Sequence, residues 1–156
     1  MRPGVRLACD VGTVRVGLAR SDATGMLAVP LPALAAGPQA VDGVLDAVAE
    51  WDAIEIFVGL PLHMSGAEGP SAELARSWAR SLRERTAVSI RLIDERLSTV
   101  EAQRGFRSSG RSTRESRSLI DSASAVVVLQ SALESERGTG EPPGEPVPNG
   151  PGGGAP

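Results

Sequence analysis

The chain has 156 residues, 41 % of them apolar and 22 % charged, which predicts one globular domain with room for a tail. That is large enough to fold without disulfides or a structural metal. One cysteine and one histidine exclude an internal disulfide and argue against a structural zinc site, so any metal would be held by carboxylates. All 16 basic residues are arginine and the net charge is −3; the chain as a whole does not attract polyanions, and a nucleic-acid site would have to be local.

Residues 5–11 form an apolar run suited to a buried strand, and Gly12-Thr13 turns it into a second strand over 14–20. A weaker third strand over 26–34 carries Pro30 and Pro32, which predicts an edge position. The period then changes. Val41, Val44, Leu45 and Val48 mark a helix over about 38–50. A short buried strand over 54–58 leads into a Gly-rich loop over 59–69, and Pro70 is suited to open the next helix, striped by Leu74, Trp78 and Leu82. Residues 88–93 give a fifth strand, and two helical segments follow over 98–107 and about 114–135. The order predicts an α/β fold: a mixed five-stranded sheet, its first three strands antiparallel, flanked by about four helices. Residues 138–156 are Gly, Pro, Glu and small residues and are expected to form a disordered tail to a 1–137 domain. No run reaches the ~20 apolar residues of a membrane helix, and the first residues lack a signal-peptide core. The expected location is cytoplasmic, with no membrane partner.

Three carboxylates stand where a carboxylate needs a reason. Asp10 ends an apolar strand, Glu95 follows Asp94 at the end of another, and Asp121 lies in an apolar helical stretch. Each has a plain alternative: an Asx turn at Asp10, a polar strand exit at Glu95, and a capping box of Ser118 with Asp121. Successive strand residues face opposite ways, so only one of Asp94 and Glu95 can share a face with Asp10. Three carboxylates on three elements are the parts of a site for a hard cation, Mg²⁺ or Mn²⁺. Two such ions about 4 Å apart can cleave a phosphodiester.

Four segments occur in order: Asp10-Val-Gly-Thr-Val-Arg-Val-Gly-Leu-Ala19, Gly59-Leu-Pro-Leu-His-Met-Ser-Gly-Ala-Glu-Gly-Pro70, Asp94-Glu-Arg-Leu-Ser-Thr99 and Ile120-Asp-Ser-Ala-Ser-Ala125. This set resembles the YqgF family, also called RuvX, described both as pre-16S rRNA nucleases and as Holliday junction resolvases. The resemblance covers about residues 5–135. It implies the ribonuclease H-like fold, with Asp10, Glu95 and Asp121 as catalytic metal ligands, Mg²⁺ or Mn²⁺ as cofactor and 5′-phosphate products. Val11 stands where the family usually has an aromatic residue, Val14 where it has a basic one, and the link before Asp121 carries Arg111, Arg114 and Arg117 where lysines are common.

Nucleic acid would be contacted by Thr13, Arg15, Arg96 and Ser98, and by a stripe of Arg104, Arg107, Arg111 and Arg114. Ser98 can equally cap a helix, and Arg15 and the stripe can equally be solvated surface. The 59–70 loop, entering a helix N-terminus, could hold a phosphate or be a plain connection. His63 is read as polar surface and Cys9 as buried. With no tyrosine and four other aromatic residues, recognition would rest on backbone and shape rather than on stacking.

The leading expectation is a metal-dependent nuclease acting on structured RNA, at the 5′ end of pre-16S rRNA in ribosomal precursor particles. The alternatives are a Holliday junction resolvase on branched DNA, which would need a homodimer rather than a monomer, and a non-catalytic nucleic-acid-binding module. Asp10-Val-Gly-Thr13 also resembles the first phosphate loop of actin-like kinases, but about 137 residues leave no room for their second domain.

Overall fold

The computed structural model describes residues 1–97 and 118–148. The elements in chain order are β1 (Arg6–Val11), β2 (Arg15–Ser21), β3 (Ala28–Ala35), α1 (Pro38–Trp51), β4 (Glu55–Leu60), α2 (Pro70–Arg83), β5 (Ser89–Asp94), a single 3-10 turn (Glu95–Leu97), α3 (Ala123–Thr139) and β6 (Glu145–Pro146). They build one sheet in the order β3-β2-β1-β4-β5-β6. The first three strands are antiparallel, β1, β4 and β5 run parallel, and β6 returns antiparallel to β5.

Strand alternation divides the sheet into two unlike faces. Leu7, Cys9, Val16, Leu18, Ile56, Val58, Ile90 and Leu92 pack under α1 and α2. Ala8, Ala19, Ala28, Phe57 and Ile93 face α3, which answers with Ala125, Val128, Leu129, Ala132 and Leu133. Alanines on both sides of that second interface bring α3 close to the strands. Pro38 and Pro70 open α1 and α2 as expected, each behind a glycine N-cap. The proline-bearing β3 is an edge strand. No described helix is long and apolar enough to cross a membrane.

Two expectations change. The sheet has six strands, because 145–146, assigned by composition to the tail, pair with Leu92 and Arg91. Val147 is buried there, and Arg91 donates to the carbonyls of Pro143 at 2.6 Å and Gly144 at 2.8 Å. A single apolar anchor inside a Pro- and Gly-rich stretch leaves no periodic signal. The last helix does not run unbroken through Asp121: a helical turn over 118–120 is followed by a turn at 121–122 and then by α3. Its cause is Ser122, which is wholly buried. Its hydroxyl accepts from Leu18 N at 3.0 Å and donates to Leu31 O at 2.6 Å, where β2 and β3 slip register between Val16 and Leu18. Three α-helices stand among the described residues; the helix expected over 98–107 lies outside them.

At the amino ends of the parallel strands lies a buried ionic network. Arg2 reaches Glu55 at 2.6 Å and Glu136 at 2.7 Å, and Arg6 reaches Glu136 at 3.1 Å. Ser89 donates to Glu55 at 2.7 Å. The candidate chemistry sits at the opposite, carboxyl ends.

Candidate active site

Asp10 lies near the carboxyl end of β1 and alternates with Ala8, so its side chain belongs to the α3 face. Glycines stand on both neighbouring strands. Gly17 of β2 pairs directly with Asp10. On β4, Gly59 follows Val58, the partner of Cys9. The space a side chain would fill at Gly17 is taken by the backbone of the turn before α3: Asp121 O lies 2.8 Å and Ser122 Cα 3.2 Å from an ideal Cβ. The corresponding space at Gly59 is taken by Glu95, whose Cδ and Cγ lie 3.0 and 3.1 Å from an ideal Cβ. Two missing side chains thus let two acidic residues approach Asp10 from opposite sides.

Alternation also sorts Asp94 from Glu95. Glu95 shares the Asp10 face and its carboxyl is hydrogen-bonded to Asp10. Burial, then the hydrogen bond and charge of Asp10, then the charge of Asp94, push Glu95 up to about 8. Near neutral pH Glu95 therefore keeps its proton beside Asp10. Asp94 turns the other way. Its carboxylate takes the guanidinium of Arg96 at 2.7 Å, while Arg96 also donates to Met64 O at 3.2 Å. Arg96 thereby ties the turn after β5 to the 61–69 loop rather than standing ready for a ligand.

The Asp121 backbone lies over Gly17, the strand partner of Asp10, and its carboxylate accepts from Arg15 Nε at 2.7 Å. The capping box is not formed: α3 has no side-chain cap, and Ser118 Oγ accepts instead from Ala33 N at 2.9 Å. Among the described residues no three His, Cys, Asp or Glu side chains converge on a metal-sized point. The structure brings Asp10 and Glu95 together and leaves the Asp121 carboxylate alongside, on Arg15. Gly12, Thr13, Val14, Arg15, Ile120 and Asp121 line an open groove of about 570 Å³ next to the site. An apolar cleft of about 550 Å³ beyond the same hairpin turn, between α1 and α2, holds none of the three carboxylates.

The donor set fits a hard divalent cation. The three candidate donors are all carboxylates, and Glu95, pushed up beside Asp10 by partial burial, carries a proton that a cation can displace.

The remaining candidates divide. Thr13 and Arg15 line the groove. Ser98, Arg104, Arg107, Arg111 and Arg114 lie outside the described residues. His63 is exposed in its loop, with its ring against Gly69 at the start of α2. Cys9 is a buried free thiol, raised far above the ordinary thiol range by burial and then by Asp10, so it is no nucleophile. Sequence reasoning missed Ser122 as the anchor of Asp121 and Gly59 as the passage for Glu95. The only signal for the second is a glycine inside an otherwise apolar strand.

The fold matches that of solved RuvC. The chain superimposes on Thermus thermophilus RuvC in complex with Holliday junction substrate with a TM-score of 0.62, 14 % identity, and coverage of 92 % of this chain and 99 % of that one. The protein thus has the ribonuclease H-like fold, with Asp10 and Glu95 at the carboxyl ends of its central strands. More narrowly, the chain belongs to the RuvX family, also called YqgF: the family model described as "RuvX: Holliday junction resolvase" matches residues 4–135. Relatives named "Putative pre-16S rRNA nuclease" include one from Clavibacter sepedonicus, 50 % identical over 95 % of this chain and 94 % of that protein. Another, from Thermobifida fusca, is 47 % identical over 94 % of this chain and 98 % of that protein.

Proposed function

We propose that this protein is a metal-dependent nuclease that trims the 5′ end of pre-16S rRNA within ribosomal precursor particles in the cytoplasm. The observation that carries the reading is the Asp10–Glu95 carboxyl pair at the strand ends, with Asp121 beside it. The substrate is inferred from relatives about half identical over nearly their whole length.

Asp10, Glu95 and Asp121 would hold Mg²⁺ or Mn²⁺, in the two-ion pattern of phosphodiester hydrolysis. When bound, the metal supplies Lewis acidity and an activated water. The protein's own contributions follow from its geometry. Glu95 would release its proton to solvent and offer the metal a full carboxylate. Thr13 and Arg15 meet the phosphate backbone along their groove. Arg15 exchanges its partner, leaving the Asp121 carboxylate for a substrate phosphate, so that substrate binding frees the third acid. The pair is half exposed on both sides, so breaking it costs only about 0–1 kcal/mol. His63 and Cys9 take no part.

Junction resolution is the second reading, supported by the description of the family model. Two symmetric cuts would require a dimer. The discriminating experiment offers a pre-16S 5′-end RNA and a four-way DNA junction to the purified protein with Mg²⁺, Mn²⁺ or EDTA. Metal-dependent cutting of the RNA is expected. Preferential paired cutting of the junction would transfer the assignment to resolvase, and tight binding of either without any cutting would make the protein a binding module.

A further inference from the structure

We infer that Gly59 is a positioning residue for the metal site: the absence of a side chain at this one point of β4 is what allows Glu95 to cross the strand and meet Asp10. The inference rests on the carboxylate-site reading above.

β4 lies between β1 and β5, so a side chain leaving the end of β5 for Asp10 must pass over β4. Alternation from Phe57 puts residue 59 on the α3 face, directly under that path. The three heavy atoms nearest an ideal Cβ at Gly59 all belong to Glu95: Oε1, Cδ and Cγ. The backbone itself does not ask for glycine, since Gly59 is not among the positive-φ positions and pairs regularly with Ile93. A glycine inside a strand weakens the strand, and here it stands where a methyl group would strike an acidic side chain.

Gly17 marks the contrast. A Cβ there would meet Asp121 O at 2.8 Å and Ser122 Cα at 3.2 Å, which are backbone atoms and cannot move without displacing the turn before α3. The three atoms nearest a Cβ at Gly59 all belong to one flexible side chain, that of Glu95. Gly59→Ala should therefore fold normally and move Glu95 alone, whereas Gly17→Ala should perturb the fold.

The test has two arms. In crystals grown without metal, Gly59→Ala should keep the wild-type backbone while the Glu95 carboxyl leaves Asp10; a Glu95 still in contact with Asp10 would overturn the inference. In solution, Mn²⁺ binding by calorimetry should be weakened about tenfold or more by Gly59→Ala, within the range for residues that orient a metal ligand, with the melting temperature in EDTA retained. The double variant Gly59→Ala/Glu95→Gln should bind as Glu95→Gln does alone, because Gly59 acts only through Glu95. Additive losses would overturn the inference. Failure of the wild type to bind Mn²⁺ would overturn the metal reading and Gly59's role toward a metal, while the crystal arm would still decide whether Gly59 admits Glu95 to Asp10.

Discussion

Glu95 and Arg15 each engage one acid of the candidate site: Glu95 is hydrogen-bonded to Asp10, and Arg15 is paired with Asp121. Glu95 is held up at about 8 by burial and by Asp10, so a metal bound there would have to expel its proton. Mn²⁺ affinity is expected to rise with pH up to about 8 and then level, with about one proton released per metal site below that point; calorimetry in buffers of different ionisation enthalpy measures both. The same shift acts on stability with a definite sign. The folded state keeps a proton that the unfolded chain loses above its ordinary glutamate value of 4.5, so the metal-free protein loses stability as pH rises from 4.5 towards 8. Glu95→Gln should consequently raise the melting temperature of the metal-free protein at alkaline pH. Arg15 holds Asp121 through an exposed ion pair. Arg15→Ala should tighten Mn²⁺ binding by up to about fivefold, the equivalent of roughly 1 kcal/mol. It should also weaken RNA binding and lower the salt slope by about one. Reduced affinity for both ligands would remove Arg15 from the role given to it.

Much at the scale of elements is legible in the sequence because alternation and proline leave periodic marks. The rule that only one of Asp94 and Glu95 can face Asp10 holds, and register selects Glu95. Pro30 and Pro32 mark β3 as an edge strand. What was not legible depends on single contacts between distant segments. Ser122 follows Asp121 in a stretch that reads as continuous helix, yet its hydroxyl fills the irregularity between β2 and β3. That contact breaks the helix and sets Asp121 beside Gly17. Ser122→Ala would leave Leu18 N and Leu31 O without this partner in a buried place, costing about 1–3 kcal/mol. It should also reduce Mn²⁺ affinity, since Asp121 loses its anchor. Denaturant melts and calorimetry on one preparation would show both effects; a stability loss with unchanged metal binding would mean that Asp121 is held by other contacts. Likewise, the last strand is fastened by the buried Val147 together with its pairing to β5 and the Arg91 hydrogen bonds, single contacts that composition has no means of registering.

The whole molecule is polar in its design: the parallel strands begin in a buried ionic network and end in an open acidic site. At the closed end Arg2, chiefly by hydrogen bonding, holds Glu136 down at about 2, with the charge of Arg6 adding to the effect. Its stabilising contribution is complete above the ordinary glutamate value of 4.5 and is lost as pH falls through about 2. Glu136→Gln leaves the fully buried Arg6 without its charge partner and should cost about 3 kcal/mol at neutral pH. It should also flatten the acid limb of the stability curve; an unchanged acid limb would place the acid sensitivity elsewhere. This network joins the starts of β1, β4 and β5 to α3. The most direct test of the carboxylate site is cleavage of a 5′-labelled pre-16S precursor by wild type and Asp10→Asn, side by side in Mg²⁺. The account predicts cutting by the wild type and none above the EDTA control by Asp10→Asn, with the variant's melting curve showing a folded protein. Equal cutting by the two would contradict it.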